Sequence, residues 1–394
     1  MQLFVLTILG LGLIGGQITS LPLFANTRIT LLDISVLIVL LYGAYESRKK
    51  RFIPPHWAPI LSFAAVALIS LSLTWGYVPT YVVGGGLLYV FRWIVYAALY
   101  WVSASAVIPA ASWLALLIGS GIAVGLVGFM QYAWYPDLRN LYYLGWDPHY
   151  QRLFSTLLDP NFTGILLGIT AIMLLSVIGK GKGAAWKLAG LAIAVVSLIL
   201  TYSRSSIAAF AAGLIVFGIL TKRVTLVIGV TVLLAAGLML APHTGEGQNL
   251  LRTVSSYARL GNAERALGLI REKPIMGHGF NILRFIATER SWIDERTAPS
   301  RAGNGLDTSL LFVGATTGII GIVIYGWLLI SFLRPGIAGI NGKPGVRTVA
   351  AGYLASFAAL LVHSLFINSL FYPWVMVWMW VGFGAMERYI KAGK

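Results

Sequence analysis

The sequence predicts an all-α polytopic membrane protein with about twelve transmembrane helices and one large extracytoplasmic loop domain that contains short helices. Composition is the first reason, because 58% of the 394 residues are hydrophobic, only 11% are charged and the mean hydropathy is +0.81. A soluble chain cannot bury that much apolar surface. The second reason is one long polar insertion, Pro242 to Gly305, which holds six of the 13 acidic residues between almost continuously apolar flanks.

Apolar runs of about 20 residues match the thickness of the hydrocarbon core, and we interpret each as one span. The predicted spans are residues 3–19, 30–46, 57–74, 82–101, 112–133, 160–179, 185–201, 204–220, 224–241, 307–333, 347–366 and 371–390. The first run lacks a basic segment and a cleavage site, so we expect a retained span and not a signal peptide.

Basic residues predict the orientation of these spans, because every basic cluster follows an even-numbered one. The clusters are Arg48, Lys49, Lys50 and Arg51; Lys180, Lys182 and Lys187; Lys222 and Arg223; Arg334, Lys343 and Arg347; and Arg388, Lys391 and Lys394. The positive-inside rule then predicts cytoplasmic termini and places the long loop after span nine outside. The chain divides into residues 1–241 (spans one to nine), 242–306 (the outer loop) and 307–394 (spans ten to twelve).

The sequence excludes several classes of chemistry. It has no cysteine, which excludes disulfides, thiol catalysis and cysteine-metal sites. Its five histidines show neither H-x-x-x-H nor H-E-x-x-H spacing, so we expect no metal site. There is no P-loop motif for a nucleotide. The net charge of +16 falls largely in short loops, where it sets orientation, and we expect no nucleic acid partner.

The polar insertion has some predicted structure of its own. Residues Ala263 to Glu272 form an amphipathic pattern that Pro274 ends, which predicts a short helix. Gly277 and Gly279 follow and predict a turn. The segment from residue 288 to 305 is rich in charge, proline, serine and glycine, so we expect it to be mobile and to act as a lid.

Two arginines lie at or within predicted spans. Arg204, in "LTYSRSSIAAF", stands at the outer end of span eight, where its forked donors suit phosphate oxygens. An interfacial arginine that extends to lipid headgroups is the alternative. Arg92 falls near the middle of span four, and an intramembrane charge marks a functional site by default. A structural hydrogen bond to backbone carbonyls is its alternative role.

Further candidates lie near the outer ends of spans. Asp159 precedes Pro160 and is predicted to be the N-cap of span six, with Asn161 facing the outer end of the bundle and Arg152 nearby. His278 is a candidate base in the loop, although an ordinary polar role is the alternative. His363 falls within span eleven, where a structural hydrogen bond is equally consistent.

Four segments in order resemble the bacterial O-antigen ligase and polymerase family of membrane glycosyltransferases. "LLDPNFTG" is similar to that family's P-N motif, and "TYSRSSIAAF" to its S-R-[GS] motif. "ARLGNAERALGLIREKPIMGHGFN" is similar to its large-loop signature, an Arg followed some fifteen residues later by P-[LI]-x-G-x-G. "LDTSLLFVGATTGIIG" is similar to the stretch that leads into the next span. The resemblance covers roughly residues 150–330.

The resemblance implies that a glycan moves from a polyprenyl-diphosphate carrier to a glycan, lipid or protein acceptor. Transfer would take place on the outer face of the bacterial inner membrane, without a nucleotide cofactor and usually without a metal. By position, Arg204 and Arg259 would bind the donor diphosphate. Ser203 and Arg265, which lie within the same two motifs, are further candidates for substrate contact.

One departure from the family concerns the general base. Ligases usually carry His-Asn where this chain has Asp307 and Thr308, and a Glu where it has Thr316. This favours a polymerase or a divergent ligase. A carboxylate can replace a histidine as base. We therefore expect Asp307, which lies where the loop re-enters the bilayer, to be the base, with His278 second; the alternative for Asp307 is an N-cap of span ten.

Three functions are compared. Transfer of a lipid-linked oligosaccharide, inverting at the anomeric carbon, explains the large outer loop and the arginines. A transporter or flippase for a lipid-linked sugar would more typically show two similar halves with broken helices, and we see no such repeat. A purely structural membrane protein leaves Arg92 and Arg204 unexplained.

Overall fold

The structure is a computed structural model, and it describes residues 1–23, 27–48, 52–179, 183–242, 246–249, 254–293 and 305–393. The α-helices are α1 (Gln2–Gly15), α2 (Leu31–Ser47), α3 (Trp57–Ser72), α4 (Thr80–Ala97), α5 (Leu99–Ala104), α6 (Ala110–Trp134), α7 (Pro160–Val177), α8 (Ala184–Leu200), α9 (Arg204–Thr221), α10 (Val224–Leu240), α11 (Val254–Glu272), α12 (Leu283–Glu289), α13 (Ser309–Ile340), α14 (Pro344–Ser364) and α15 (Pro373–Gly393). Two short antiparallel strands, β1 (Leu21–Pro22) and β2 (Arg28–Ile29), precede α2.

Every predicted span falls on one of these helices, except that the fourth covers both α4 and α5. Within the described residues, seven helical segments are long and apolar enough to cross a membrane. They are Gln2–Thr19, Thr80–Ala104, Ala110–Trp134, Pro160–Val177, Arg204–Thr221, Ser309–Ile340 and Pro344–Ser364. Three shorter apolar helices are α3, α8 and α10. The fold is therefore that of an all-α polytopic membrane protein, and the count of twelve spans stays a prediction.

Helix α7 lies at the centre of the bundle. In its 18 residues 83% are buried, compared with 28% in the N-terminal segment Gln2–Thr19. It packs against α8, α9 and α14, and α14 in turn packs along α9. The N-terminal ends of α7 and α9 therefore lie side by side, which brings the "DPN" and "SRS" segments together.

Helix α13 is interrupted at Gly318, which has φ 66° and ψ −163°. The loop segment from Pro274 to Gly279 fills this break. The backbone N–H groups of His278 and Gly279 donate to the carbonyl oxygens of Ala315 and Thr316 at 2.9 and 3.1 Å. The N–H of Ile319 donates to the carbonyl of Pro274 at 2.8 Å. Backbone groups that the helix leaves unpaired are thus satisfied by the loop, as a membrane protein requires.

Replacing Gly318 with alanine is expected to destabilise the protein. Its backbone conformation is essentially restricted to glycine, and a Cβ there would meet the carbonyl group of Ile275. We expect a loss of about 1–3 kcal/mol or more, measured as a lower midpoint of thermal unfolding in detergent. Gly326→Ala in the same helix is the matched control, because nothing lies within 4 Å of its added Cβ. Equal midpoints for the two variants would contradict this role of Gly318.

The helices of the loop differ from the prediction: the first is longer, and there is a second one. Helix α11 begins at Val254 and not near Ala263, so Arg259 lies within the helix instead of leading it. The predicted turn is confirmed, because Gly277 and Gly279 have φ 68° and 109°. Helix α12 was not predicted. Residues 294–304 of the predicted lid lie outside the described residues, as do Lys49, Lys50, Arg51, Lys180, Lys182 and Lys394 of the basic clusters.

Candidate active site

A cavity of about 550 Å³ lies at one end of the bundle, under the loop. The first turns of α2, α7 and α15 and the residues just before α13 form its walls, and α4 and α11 complete it. Its charged and amide-bearing residues are Gln17, Arg28, Asp33, Arg92, Asp147, Asp159, Asn161, Arg259, Asn281, Asp307 and Asn368. Of the predicted site residues, five line it: Arg92, Asp159, Asn161, Arg259 and Asp307.

Arg259 is the electrostatic centre of this cavity. Burial lowers the pKa of its guanidinium and the nearby charge of Arg204 lowers it further, whereas Asp307 and Asp159 raise it. Arg204 is the first residue of α9 and is partly buried. Four charged residues from four separate segments, two arginines and two aspartates, therefore interact at one place.

Asp159 is the N-cap of α7, as predicted. Its Oδ1 accepts hydrogen bonds from the N–H groups of Asn161 and Phe162 at 2.6 and 3.1 Å. Burial raises the pKa of Asp159 to about 6, and the neighbouring carboxylate of Asp147 contributes in the same direction. Those two hydrogen bonds and Arg152 oppose the increase. At neutral pH, Asp159 is therefore mostly ionised at the cavity wall.

Asp307 lies one residue before the N-cap of α13, which is Thr308. The alternative role of Asp307 as an N-cap of span ten is therefore wrong. Its backbone N–H donates to Oδ1 of Asn262 at 2.9 Å, which attaches it to α11. Burial raises the pKa of the Asp307 carboxyl, the charge of Asp147 adds to the increase, and Arg259 opposes both. Its carboxyl group lines the cavity beside Arg259, as a general base for a bound hydroxyl would.

The "SRS" segment is fixed by a buried network of hydroxyl groups. The Ser203 hydroxyl donates to Oδ1 of Asn161 at 2.9 Å, and Ser206 donates to the carbonyl oxygen of Asn161 at the same distance. The fully buried His363 places its Nε2 3.2 Å from Ser206 Oγ and its Nδ1 3.1 Å from Ser369 Oγ. Ser203 and His363 thus fix the position of Asn161 relative to the start of α9, where Arg204 lies. Neither Ser203 nor His363 lines the cavity.

Arg152 is buried behind the same segment. Its Nε donates to the carbonyl oxygen of Thr201 at 2.8 Å, and a terminal nitrogen donates to that of Tyr202 at 3.4 Å. These carbonyls end α8 and lead into "SRS". Arg152 is not among the residues that line the cavity, so this geometry favours positioning over the predicted substrate contact.

Arg92 forms an ion pair with Asp33 from the first turn of α2. Its Nε lies 2.9 Å from Asp33 Oδ1, and a terminal nitrogen lies 3.2 Å from Oδ2. The guanidinium also donates to the carbonyl oxygen of Arg28, and Tyr96 donates to Asp33 Oδ1 at 3.1 Å. Arg92 therefore faces a polar group at the cavity and not lipid. The cost of an arginine at this depth is offset by that pairing.

Five predicted site residues do not line the cavity: Arg152, Ser203 and Arg204, described above, and His278 and Arg265. His278 is buried in the loop that fills the α13 break, where its Nε2 lies 3.0 Å from the carbonyl oxygen of Leu269. Burial lowers the pKa of His278. Arg265 is exposed on α11, and its guanidinium carbon lies 5.4 Å from the ring centroid of Trp292. Their predicted roles stay predictions, and the geometry does not favour either.

Three residues could hold a metal ion. Asp147, His149 and Asp159 carry ligand atoms that all lie within 4.8 Å of one another. No metal site was predicted from the sequence, because histidine-pair motifs do not match a group of ligands with one histidine and two aspartates. One oxygen of Asp159 is already used in capping α7. Arg259 supplies positive charge at the lining of the same cavity, and Arg204 lies close to it.

Sequence reasoning missed several lining residues. Asn368 lies between α14 and α15, and within the described residues its buried Oδ1 has no hydrogen-bond partner, so it is free to accept from a ligand. Phe162 and Tyr372 are stacked at 3.7 Å between ring centroids on the cavity wall. The position of Asp33 in the first turn of α2 could have been predicted from the sequence. Thr30 and Asp33 have the spacing of a capping box, and the structure shows that they form one. No local pattern distinguished Asn368 or the stacked rings.

One comparison with known proteins found a match. Residues 189–326 match the family model described as O-antigen ligase. That range contains Arg204, Arg259, His278, Asp307 and the interrupted part of α13. No curated protein matches the chain. Residues 189–326 are therefore similar to a family of O-antigen ligases, and the apolar helices are those of an integral membrane protein. The match confirms the resemblance of the chain to the O-antigen ligase family.

Proposed function

We propose that the protein transfers an oligosaccharide from a polyprenyl-diphosphate carrier to a glycan, lipid or protein acceptor at the outer face of the bacterial inner membrane. The observation that carries this proposal is that Arg259, Asp159 and Asp307 line one cavity, with Arg204 close enough to Arg259 to lower its pKa. Two cations suit a diphosphate, and an adjacent carboxylate suits the removal of a proton from a hydroxyl group.

The helix arrangement supports binding of an anion here. The first turns of α2, α7 and α15 line the cavity, and the positive ends of helix dipoles favour negative charge. A guanidinium binds two phosphate oxygens at once through parallel N–H donors. Arg259 belongs to the loop and Arg204 to the bundle, so a lipid at the membrane surface could bind both.

The reaction follows from this placement. The oxygen of an acceptor hydroxyl attacks the anomeric carbon of the donor, and the bond from that carbon to the phosphate oxygen breaks. Polyprenyl diphosphate leaves with the bonding electrons, and the arginines stabilise its developing charge. The hydroxyl proton passes to the carboxylate of Asp307. Attack from the side opposite the leaving group inverts the anomeric configuration.

Transfer by the purified protein is expected to be independent of metal. The protein is reconstituted with the lipid-linked glycan from its own cells, and the product is followed with and without EDTA. Equal rates are expected, because the two arginines provide the positive charge that an ion would provide. Activity that EDTA removes and Mg²⁺ restores would show that transfer needs an ion, for which Asp147, His149 and Asp159 are the candidate ligands. Binding of the glycan without product in either case would favour a transporter.

We propose that both termini are cytoplasmic and that residues 242–306 face outward. Because the chain has no cysteine, single cysteines report cleanly on topology. Thr297→Cys, which lies outside the described residues, is expected to react with an impermeant maleimide in intact cells. Arg223→Cys, in the predicted cytoplasmic turn between α9 and α10, should react only after lysis. The opposite labelling pattern would reverse the proposed orientation and contradict a reaction at the outer face.

A further inference from the structure

A second cavity of about 290 Å³ lies between α4 and α12. Its volume is just below the range of about 300–1,000 Å³ for small-molecule sites. Its lining residues are Tyr81, Val82, Gly85, Gly86, Tyr89, Asn281, Ile282, Arg284, Phe285, Thr288 and Glu289. Two of these, Tyr89 and Asn281, also line the candidate active site. The second cavity is therefore contiguous with the first.

The residue at this junction lies in a turn. Asn281 has φ 59°, in the left-handed region, which asparagine adopts more readily than most residues other than glycine. Gly279, just before it, has φ 109°, and the docking of Gly279 against Thr316 fixes this part of the loop. The turn presents Asn281 to both cavities.

The lining has the chemistry of a saccharide site. Aromatic rings come from Tyr81, Tyr89 and Phe285, and such rings pack against the C–H faces of pyranose sugars. Asn281, Thr288 and Glu289 supply donors and acceptors that sugar hydroxyls require.

The charged residues of the second cavity favour a saccharide over other classes of ligand. One arginine, Arg284, and one glutamate, Glu289, balance each other, so a diphosphate is better served by Arg204 and Arg259. A lipid acyl chain would offer no polar group to Asn281, Thr288 and Glu289. A neutral, polyhydroxylated ligand satisfies both the aromatic and the polar groups.

We propose that the second cavity is a saccharide subsite, which binds a hexopyranose unit of a glycan chain next to the sugar that reacts. This inference rests on the proposed function for the reaction at the first cavity. The unit belongs either to the donor glycan or to the acceptor glycan. The position of Asn281 and Tyr89 in both cavities gives the glycan a continuous path from the reacting carbon.

The test combines binding and kinetics on the full chain in detergent micelles. The binding probe is the free oligosaccharide that mild acid releases from the cell's own polyprenyl-diphosphate glycan, observed by saturation-transfer NMR. The variants are Phe285→Ala and Thr288→Val, and Phe285→Tyr should retain binding. Trp75→Ala is the matched control, because Trp75 is a 70% exposed aromatic residue that lines neither cavity.

We expect Phe285→Ala to weaken oligosaccharide binding about 5- to 10-fold, the effect of one lost aromatic contact. A matching rise in the acceptor KM, with the donor KM unchanged, assigns the unit to the acceptor, and the reverse assigns it to the donor. Unchanged binding and unchanged KM for both substrates in both variants would overturn the subsite. The subsite would also be overturned if native mass spectrometry showed that the variants lose a bound phospholipid and not the saccharide.

Binding without the lipid carrier separates this inference from the proposed function. Saccharide binding that depends on Phe285, in a protein that never forms product, would retain the subsite and reject the transfer reaction. Product formation that depends on Arg259 but is insensitive to Phe285 and Thr288 would retain the reaction and reject the subsite.

Discussion

Asp307→Asn is expected to reduce transfer by about 100- to 10,000-fold, the effect of removing a general base. Asparagine keeps the size and the hydrogen-bonding capacity of the side chain but cannot accept a proton at neutral pH. The backbone bond to Asn262 is unaffected, because it uses the N–H of residue 307. The measurement is kcat/KM in the reconstituted assay, with folding checked by thermal unfolding.

The pH profile adds a second readout for Asp307. A base works only when it is deprotonated, so activity should fall as the pH drops through its pKa. Burial raises the pKa of Asp307, which moves this fall to a higher pH than a free aspartate would give. The variant should lack the corresponding limb in its residual activity.

Asp137→Asn serves as the matched control, because Asp137 is a partly exposed aspartate that pairs with Arg139 and does not line the cavity. Full activity of the Asp307→Asn variant would mean that Asp307 is not the general base. Asp159 would then be tested, because asparagine retains N-capping and Asp159→Asn would affect only proton transfer.

Arg259→Lys and Arg204→Lys are each expected to reduce transfer by about 100- to 1,000-fold, comparable to the loss of one positioned donor in other transition states. Lysine keeps the charge but loses the planar fork that binds two phosphate oxygens. The effect should fall mainly on kcat, because charge on the leaving diphosphate develops in the transition state.

Arg271→Lys is the matched control, since Arg271 is exposed in the last turn of the same helix as Arg259. All variants should insert into the membrane and unfold at similar temperatures. Wild-type turnover by Arg259→Lys would mean that the diphosphate binds elsewhere. A rise in donor KM alone would mean that the arginine binds the ground state and the transition state equally.

The sequence determined where the apolar helices lie, because hydrophobic length is set by the bilayer and needs no tertiary information. It also determined the cap at Asp159, since an aspartate followed by proline at the start of an apolar run is a local signal. The family motifs identified Arg204 and Arg259 without showing that they interact.

The tertiary structure decided which of these residues share a cavity. Arg92 and Asp33 are 59 positions apart, and only the packing of α4 near the start of α2 pairs them. His278 was a reasonable base by residue type, but the break at Gly318 draws its loop into α13 and buries it against Leu269. Asp307 and Arg259 come together because Asn262 attaches the end of the loop to α11. Contacts between distant segments depend on packing and backbone pairing, for which a single sequence carries no local pattern.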